Sequence, residues 1–386
     1  MKKSYLIIAA AALAFAACSN EEVMYEVQEN LTAIDFTTFA KKATRSENSN
    51  QSYDWNLENH HTTFSVWGFK NTSDELVFNG ETVTYKASGD AWKYVNNRYW
   101  DKAAIEYTFY ACAPQNGPFT FNGATSAATM EDGYFTINSA YSKVGENISP
   151  KSSGDAVQSW KTASSDVDLM IAAECELTNP GGLVDAQATN GKVLLQFIHI
   201  LSRLNVTLKT TDDFYPAVAS GDKIKVSNIT IGHMKNSGTF DESAASGDAL
   251  ASGTAARWTA TGDNNFSYDI DYDVNQDKTY VIETLVMPQQ AEIEAIALAG
   301  DEVTGNSENA PYIVITYTIS NYEETASEEF VAYYNLASAF GKTSGTLDFN
   351  EGWSNTLNIK IAPNIIEFDA VVAPWADIQS DELVVE

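Results

Sequence analysis

Apolar and polar residues alternate one by one through most of this 386-residue chain, and few stretches hold a 3.6-residue period for three turns. Such a pattern suits strands buried on one face and leaves little room for helices, so the chain reads as all-β. The clearest strands are Thr63 to Phe69, Ile105 to Ala111, Lys192 to Leu208, Lys223 to Ile231, Tyr280 to Met287, Tyr312 to Ile319 and Thr356 to Ile361. Leu76 to Tyr85 carries Asn79-Gly80 at its centre and predicts a hairpin, because both central residues of that turn need positive φ. Short strands between Gly, Ser, Asn and Asp clusters, without alternating helices, point to antiparallel β-sandwiches. The length fits two domains. Asn179-Pro180-Gly181-Gly182 and the polar run Asp185 to Gly191 read as the linker between a sandwich over 46–190 and another over 191–386.

The amino terminus reads as an export address. Lys2 and Lys3 precede an apolar run from Tyr5 to Ala17, shorter than the roughly 20 residues that cross a bilayer. Phe15-Ala16-Ala17-Cys18 resembles a lipobox, which makes 1–17 a lipoprotein signal peptide and Cys18 the acylated first residue. Two or three acyl chains hold a protein on a membrane stably. Behind Cys18 lies a detached strand, Leu31 to Ala40, with Ile34 and Phe36 on one face, followed by the basic Lys41-Lys42-Ala43-Thr44-Arg45-Ser46.

A formal net charge of −29 repels phosphate backbones, so nucleic acid is a poor partner. Catalytic groupings are hard to find. His60 and His61 lie in a polar loop, His199 sits within an apolar strand where a hydrogen-bonded role fits better than a catalytic one, and His233 has no zinc-like spacing. Gly341-Lys342-Thr343 ends like a phosphate loop, but Leu336 stands where its first glycine belongs. Asp269, Asp271 and Asp273 share a strand face and form a weak calcium candidate; read as an EF-hand loop, Gln276 and Ile282 fail the turn glycine and the bidentate glutamate. The acidic face of a solvated strand, with Ile270, Tyr272 and Val274 inward, is the simpler account. No cofactor is expected. Cys112 and Cys175 either pair in an oxidising compartment or stay as separate buried thiols. Trp92, Tyr94, Tyr99 and Trp100 either fill a core or form a glycan-stacking cluster.

Several segments taken together resemble the fimbrillins, the lipoprotein-derived type V pilins of Bacteroidales. They are Cys18 in its lipobox, Lys42-Ala43-Thr44-Arg45-Ser46, Tyr107 to Ala111, Asp168 to Ala172, Phe197 to Leu204, Met287-Pro288-Gln289 and Trp375. The resemblance implies two transthyretin-like sandwiches in tandem, export to the outer membrane as a lipoprotein precursor, and maturation by a trypsin-like protease that cuts after an arginine. Arg45, before Ser46, matches that arginine, so 18–45 becomes a propeptide with a removable strand. The mature form then belongs in cell-surface fimbriae, its partners being other fimbrial subunits and a host or bacterial surface ligand.

Loss of the strand around Ile34 and Phe36 would leave an open groove and unpaired edges that invite strand addition. Ile366 to Val372 has a donor's pattern, with Ile366, Phe368, Ala370 and Val372 on one face; the tail from Trp375, with Leu383 and Val385, either extends it or is the donor itself, if Ile366 to Trp375 is the last strand of its own domain. Three large side chains at about 1.5–3 kcal/mol each suggest roughly 5–9 kcal/mol of apolar contact per junction before ordering costs. The alternative is a monomeric surface lipoprotein that binds glycan and keeps residues 19–45.

Overall fold

The computed structural model describes residues 32–40, 57, 61–70, 75–89, 91–101, 104, 106–123, 133–146, 168–178, 192–214, 221–244, 257–299, 302–304, 307–362 and 365–374. Among them the chain is almost wholly strand. The first half contains β1 (Asp35–Ala40), β2 (Thr63–Lys70), β3 (Glu75–Lys86), β4 (Ala91–Lys93), β5 (Glu106–Ala113), β6 (Thr120–Asn122), β7 (Tyr134–Tyr141), β8 (Met170–Thr178) and β9 (Lys192–His199). The second contains β10 (Ser202–Thr210), β11 (Lys223–Met234), β12 (Ser237–Asp241), β13 (Trp258–Thr261), β14 (Asn264–Val274), β15 (Thr279–Val286), β16 (Gln289–Glu292), β17 (Leu298–Ala299), β18 (Glu302–Val303), β19 (Tyr312–Ser320), β20 (Ser327–Asn335), β21 (Thr346–Phe349), β22 (Trp353–Ala362) and β23 (Ile365–Pro374). A one-turn helix, Leu336–Ala339, is capped by the Asn335 side chain, which accepts from the Ser338 N–H.

The second half is a sandwich of two four-stranded sheets, β15-β10-β22-β23 and β14-β11-β19-β20. Residues from both sheets, among them Leu204, Val206, Ile229, Ile315 and Leu357, fill the space between them. The first half is built differently. One seven-stranded sheet, β1-β9-β8-β5-β2-β3-β4, encloses its own apolar core of Phe64, Phe78, Phe109, Leu195 and Phe197. Its two ends meet, because Ala33 on the approach to β1 bridges Tyr99 just beyond β4. The opposite face of this sheet carries Phe69, Tyr110, Cys112 and Ile171, which join the same core cluster as the second half. A four-stranded sheet, β13-β12-β7-β6, draws strands from both halves and ties them together.

Three sequence expectations change here. The 192–208 stretch is two strands: the chain leaves the first sheet at Ile200-Leu201, so β9 pairs within the first sheet and β10 within the second sandwich. The expected linker, 179–191, lies outside the described residues. Asn79-Gly80 makes no hairpin turn. β3 runs straight through it, and the register against β2 jumps from Val66↔Glu81 to Trp67↔Asn79, leaving Gly80 as the extra residue of a bulge. Gly80 has φ 68 and lies flat against the Trp67 ring, so the positive φ that suggested a turn serves a bulge. Most ladders are antiparallel as expected, but β1–β9 and β10–β22 are parallel. Alternation alone does not report strand direction; burial on both faces of β10, as in most parallel strands, is the visible trace of it.

Candidate functional site

The residues expected to form a removable strand lie where the first sheet closes. Ile34 and Phe36 are 0% and 2% exposed and point into the core, followed on the same face by the buried Thr38. The Phe36 ring is boxed edge-on by Phe64, Phe78, Tyr94 and Phe109 at centroid distances of 6.0, 5.4, 5.9 and 6.1 Å. Edge-to-face packing of this kind adds to the burial of the ring itself.

Backbone bonds hold β1 on both sides. Towards one neighbour it pairs with β9 from Asp35↔Lys192 to Ala40↔Phe197. Towards the other, the Ile34 N–H donates to the Arg98 carbonyl at 2.8 Å and the Trp100 N–H donates to the Thr32 carbonyl at 3.0 Å. The Tyr94 hydroxyl donates to the Ile34 carbonyl at 2.6 Å and accepts the Arg98 N–H at 3.1 Å. Burial keeps the Tyr94 phenol above its usual range, so it remains a donor. Asp35, on the outer face, meets Lys93 Nζ at 3.4 Å. β1 thus closes the sheet through one ladder to β9 and, at its approach, an isolated bridge to Tyr99, and its departure would leave an aromatic-lined slot with the unpaired edge of β9 on one side.

The far end of the chain is looser. β23 forms a hairpin with β22, from Ala362↔Ile365 to Trp353↔Pro374, and it is the outer strand of its sheet. Ile366, Phe368 and Ala370 pack on the second core only in part, and Phe368 meets Tyr334 edge-on at 4.7 Å. Val372 is exposed. The segment expected as a donor thus occupies a place in its own sandwich in the isolated chain. Cys18, Arg45, Ser46, Trp375, Leu383 and Val385 lie outside the described residues, as does His60.

Other sequence candidates resolve into structure. Trp92 and Trp100 are buried in the first core and Tyr94 faces Phe36, which leaves Tyr99 as the exposed ring of that cluster. Asp271 pairs with Lys225 at 2.7 Å and Asp269 accepts from Asn228 at 3.0 Å on the outer face of β14. Among the described residues no group of three His, Cys, Asp or Glu side chains is placed to hold a metal. Cys112 and Cys175 are not joined in a disulfide, and burial pushes the Cys112 thiol up. His199 is buried against Asp168, Nδ1 lying 3.0 Å from Oδ1, in keeping with a role inside the fold.

Sequence reasoning missed a buried polar lane on β10 and β22. Arg203 reaches Glu283 at 3.1 Å and Asn205 at 3.0 Å, Asn205 donates to Ser354 and Thr356, and Thr207 donates to Asn358. It also missed the buried Arg257–Glu351 pair, in which burial raises the carboxyl to about 7 against the pull of Arg257. An alternating strand shows which residues are polar but not that its polar face is covered; for Arg203 and Asn205, their place beside an apolar run was the sole hint.

A family model described as fimbrillin-like matches residues 44–375. Among solved structures, a fimbrial protein from Bacteroides vulgatus is 13% identical, with 90% of this chain and 100% of that one covered at a TM-score of 0.48. The fimbrial anchor protein Mfa2 from Porphyromonas gingivalis is 10% identical, with 89% and 98% covered at a TM-score of 0.28. No curated protein matches the sequence.

Proposed function

Given that this chain belongs to the fimbrillin-like family, we propose that it is a structural subunit of cell-surface fimbriae, without catalytic activity, that polymerises by strand exchange. The precursor is exported as a lipoprotein, acylated on Cys18, and sits on the outer membrane. A trypsin-like protease cuts after Arg45, and the piece carrying Ile34 and Phe36 leaves. A carboxyl-terminal segment of another subunit fills the slot, and the filament contributes to surface adhesion.

The observation that carries this reading is the position of β1. It is hydrogen-bonded on both sides and buried on its inner face, yet it joins the rest of the chain only through the segment that holds Arg45. Cutting there would convert a closed sheet into an open one, and head-to-tail filling of such a slot does not close on itself, so it gives a filament. Arg45→Ala tests the scheme. The variant should fold, stay monomeric and abolish polymer ladders in denaturation-resistant gels. Ladders at the wild-type level would contradict it.

A further inference from the structure

The chain passes from β9 into β10 through Ile200 and Leu201, and this crossing is gripped from two sides. From the first half, the Leu169 carbonyl accepts the Ile200 N–H at 2.9 Å, and His199 is buried against Asp168. From the second half, two donors reach the crossing. The Trp258 indole N–H donates to the Ile200 carbonyl at 2.6 Å, and the Gly352 N–H donates to the Leu201 carbonyl at 2.9 Å. Gly352 has φ 66, and a Cβ there would stand 3.2 Å from the His199 carbonyl, so the turn presses directly on the crossing. The residues just before these two donors are Arg257 and Glu351, and they pair with each other. The ion pair thus fastens both donors over the crossing.

The charges in this fastening do not balance. Arg257 and Glu351 are buried, the guanidinium lying over the Phe240 ring. Glu242, in the single turn Glu242–Ala244 after β12, brings a second carboxylate whose charge bears on Glu351. Its Oε2 accepts the Phe135 N–H at 2.8 Å, which favours its ionised form. Glu351 has less to support a charge: among the described residues its Oε1, like Arg257 Nε, finds no hydrogen-bond partner. A buried carboxylate with a bare oxygen is costly, whereas a neutral carboxyl there costs far less and still accepts from Arg257 through Oε2. A proton entering the site therefore goes to Glu351. The neighbouring titratable groups do not compete for it. The buried Cys112 thiol is pushed up and stays neutral, the exposed Asp241 accepts from Ser243, and Asp168 pairs with His199 on the first-half side of the crossing.

We propose that Arg257, Glu351 and Glu242 form a proton-operated clasp on the crossing between β9 and β10, one that holds the two halves more firmly in mildly acidic than in mildly alkaline surroundings. The inference does not rest on the strand-exchange reading. Burial raises the Glu351 carboxyl from the ordinary 4.5 to about 7. Between those values the closed clasp keeps a proton that an opened one releases, so its hold is complete at the acid end and is lost as pH rises through about 7. A single proton changes the ratio of open to closed by at most about tenfold per pH unit.

Amide hydrogen exchange of the uncut full chain, followed by mass spectrometry from pH 5.5 to 8 and corrected for the intrinsic pH dependence of exchange, reads this opening directly. In peptides containing Ile200-Leu201 and Gly352, protection should fall about tenfold or more over that range. Glu351→Gln, which imitates the neutral carboxyl, should keep the acid-end protection throughout. Glu242→Gln removes the competing negative charge and should move the fall to lower pH. A flat wild-type profile overturns the proposal, and so does a Glu351→Gln profile that falls as the wild type does. Should Glu351→Gln fail to fold, Glu242→Gln decides alone, and an unshifted profile overturns the clasp.

Discussion

β1 and β23 are both outer strands with alternating apolar faces, yet the molecule treats them in opposite ways. β1 is laddered to β9 and tied through Ala33 to Tyr99, with Phe36 in an aromatic box, whereas β23 leans on β22 alone with its inner residues half-covered. The strand proposed to leave is thus the better held of the two. That difference gives the proposed cut its role: no thermal fluctuation of modest cost vacates a seat as dry as that of Phe36, while an edge strand like β23 lifts away at lower cost. On the strand-exchange proposal, a precursor sealed in this way would stay monomeric until processed.

Substitutions at matching positions sharpen the contrast. Phe36→Ala should destabilise the uncut chain most, by about 3–5 kcal/mol, since it empties a buried aromatic box; urea unfolding of the Arg45→Ala background measures it. Phe368→Ala should cost about half as much, roughly 1.5–2.5 kcal/mol, because Phe368 is half-covered. Equal losses at the two sites would break the comparison. Tyr94→Phe should cost less still, about 0.5–1.5 kcal/mol, by removing the hydroxyl that donates to the Ile34 carbonyl. Its effect should vanish in the trimmed monomer whose slot is empty, and a loss that persisted there would place the role of Tyr94 elsewhere.

Strand character, the inward faces of β2, β19 and β22, and the pairing of Ile34 with Phe36 on one face were legible because a period of two is written directly in the residues. What was not legible depends on partners distant in sequence. Asn79-Gly80 specifies positive φ but not whether the chain reverses, and the fit of Gly80 to the Trp67 ring decides for a bulge. The apolar run through Phe197 to Leu204 gives no sign that it changes sheets at Ile200-Leu201, since both sheets demand the same alternation. The closure of the first sheet through Ala33 and Tyr99, and so the slot itself, follows from curvature that no local pattern encodes.

Cleavage of the purified full-length chain after Arg45, followed by mass spectrometry of what remains bound and by sizing in solution, tests the central claim most directly. The account predicts that the fragment containing Ile34 and Phe36 is lost as multimers appear. A trimmed chain that retains the fragment and stays a compact monomer at high concentration would contradict it.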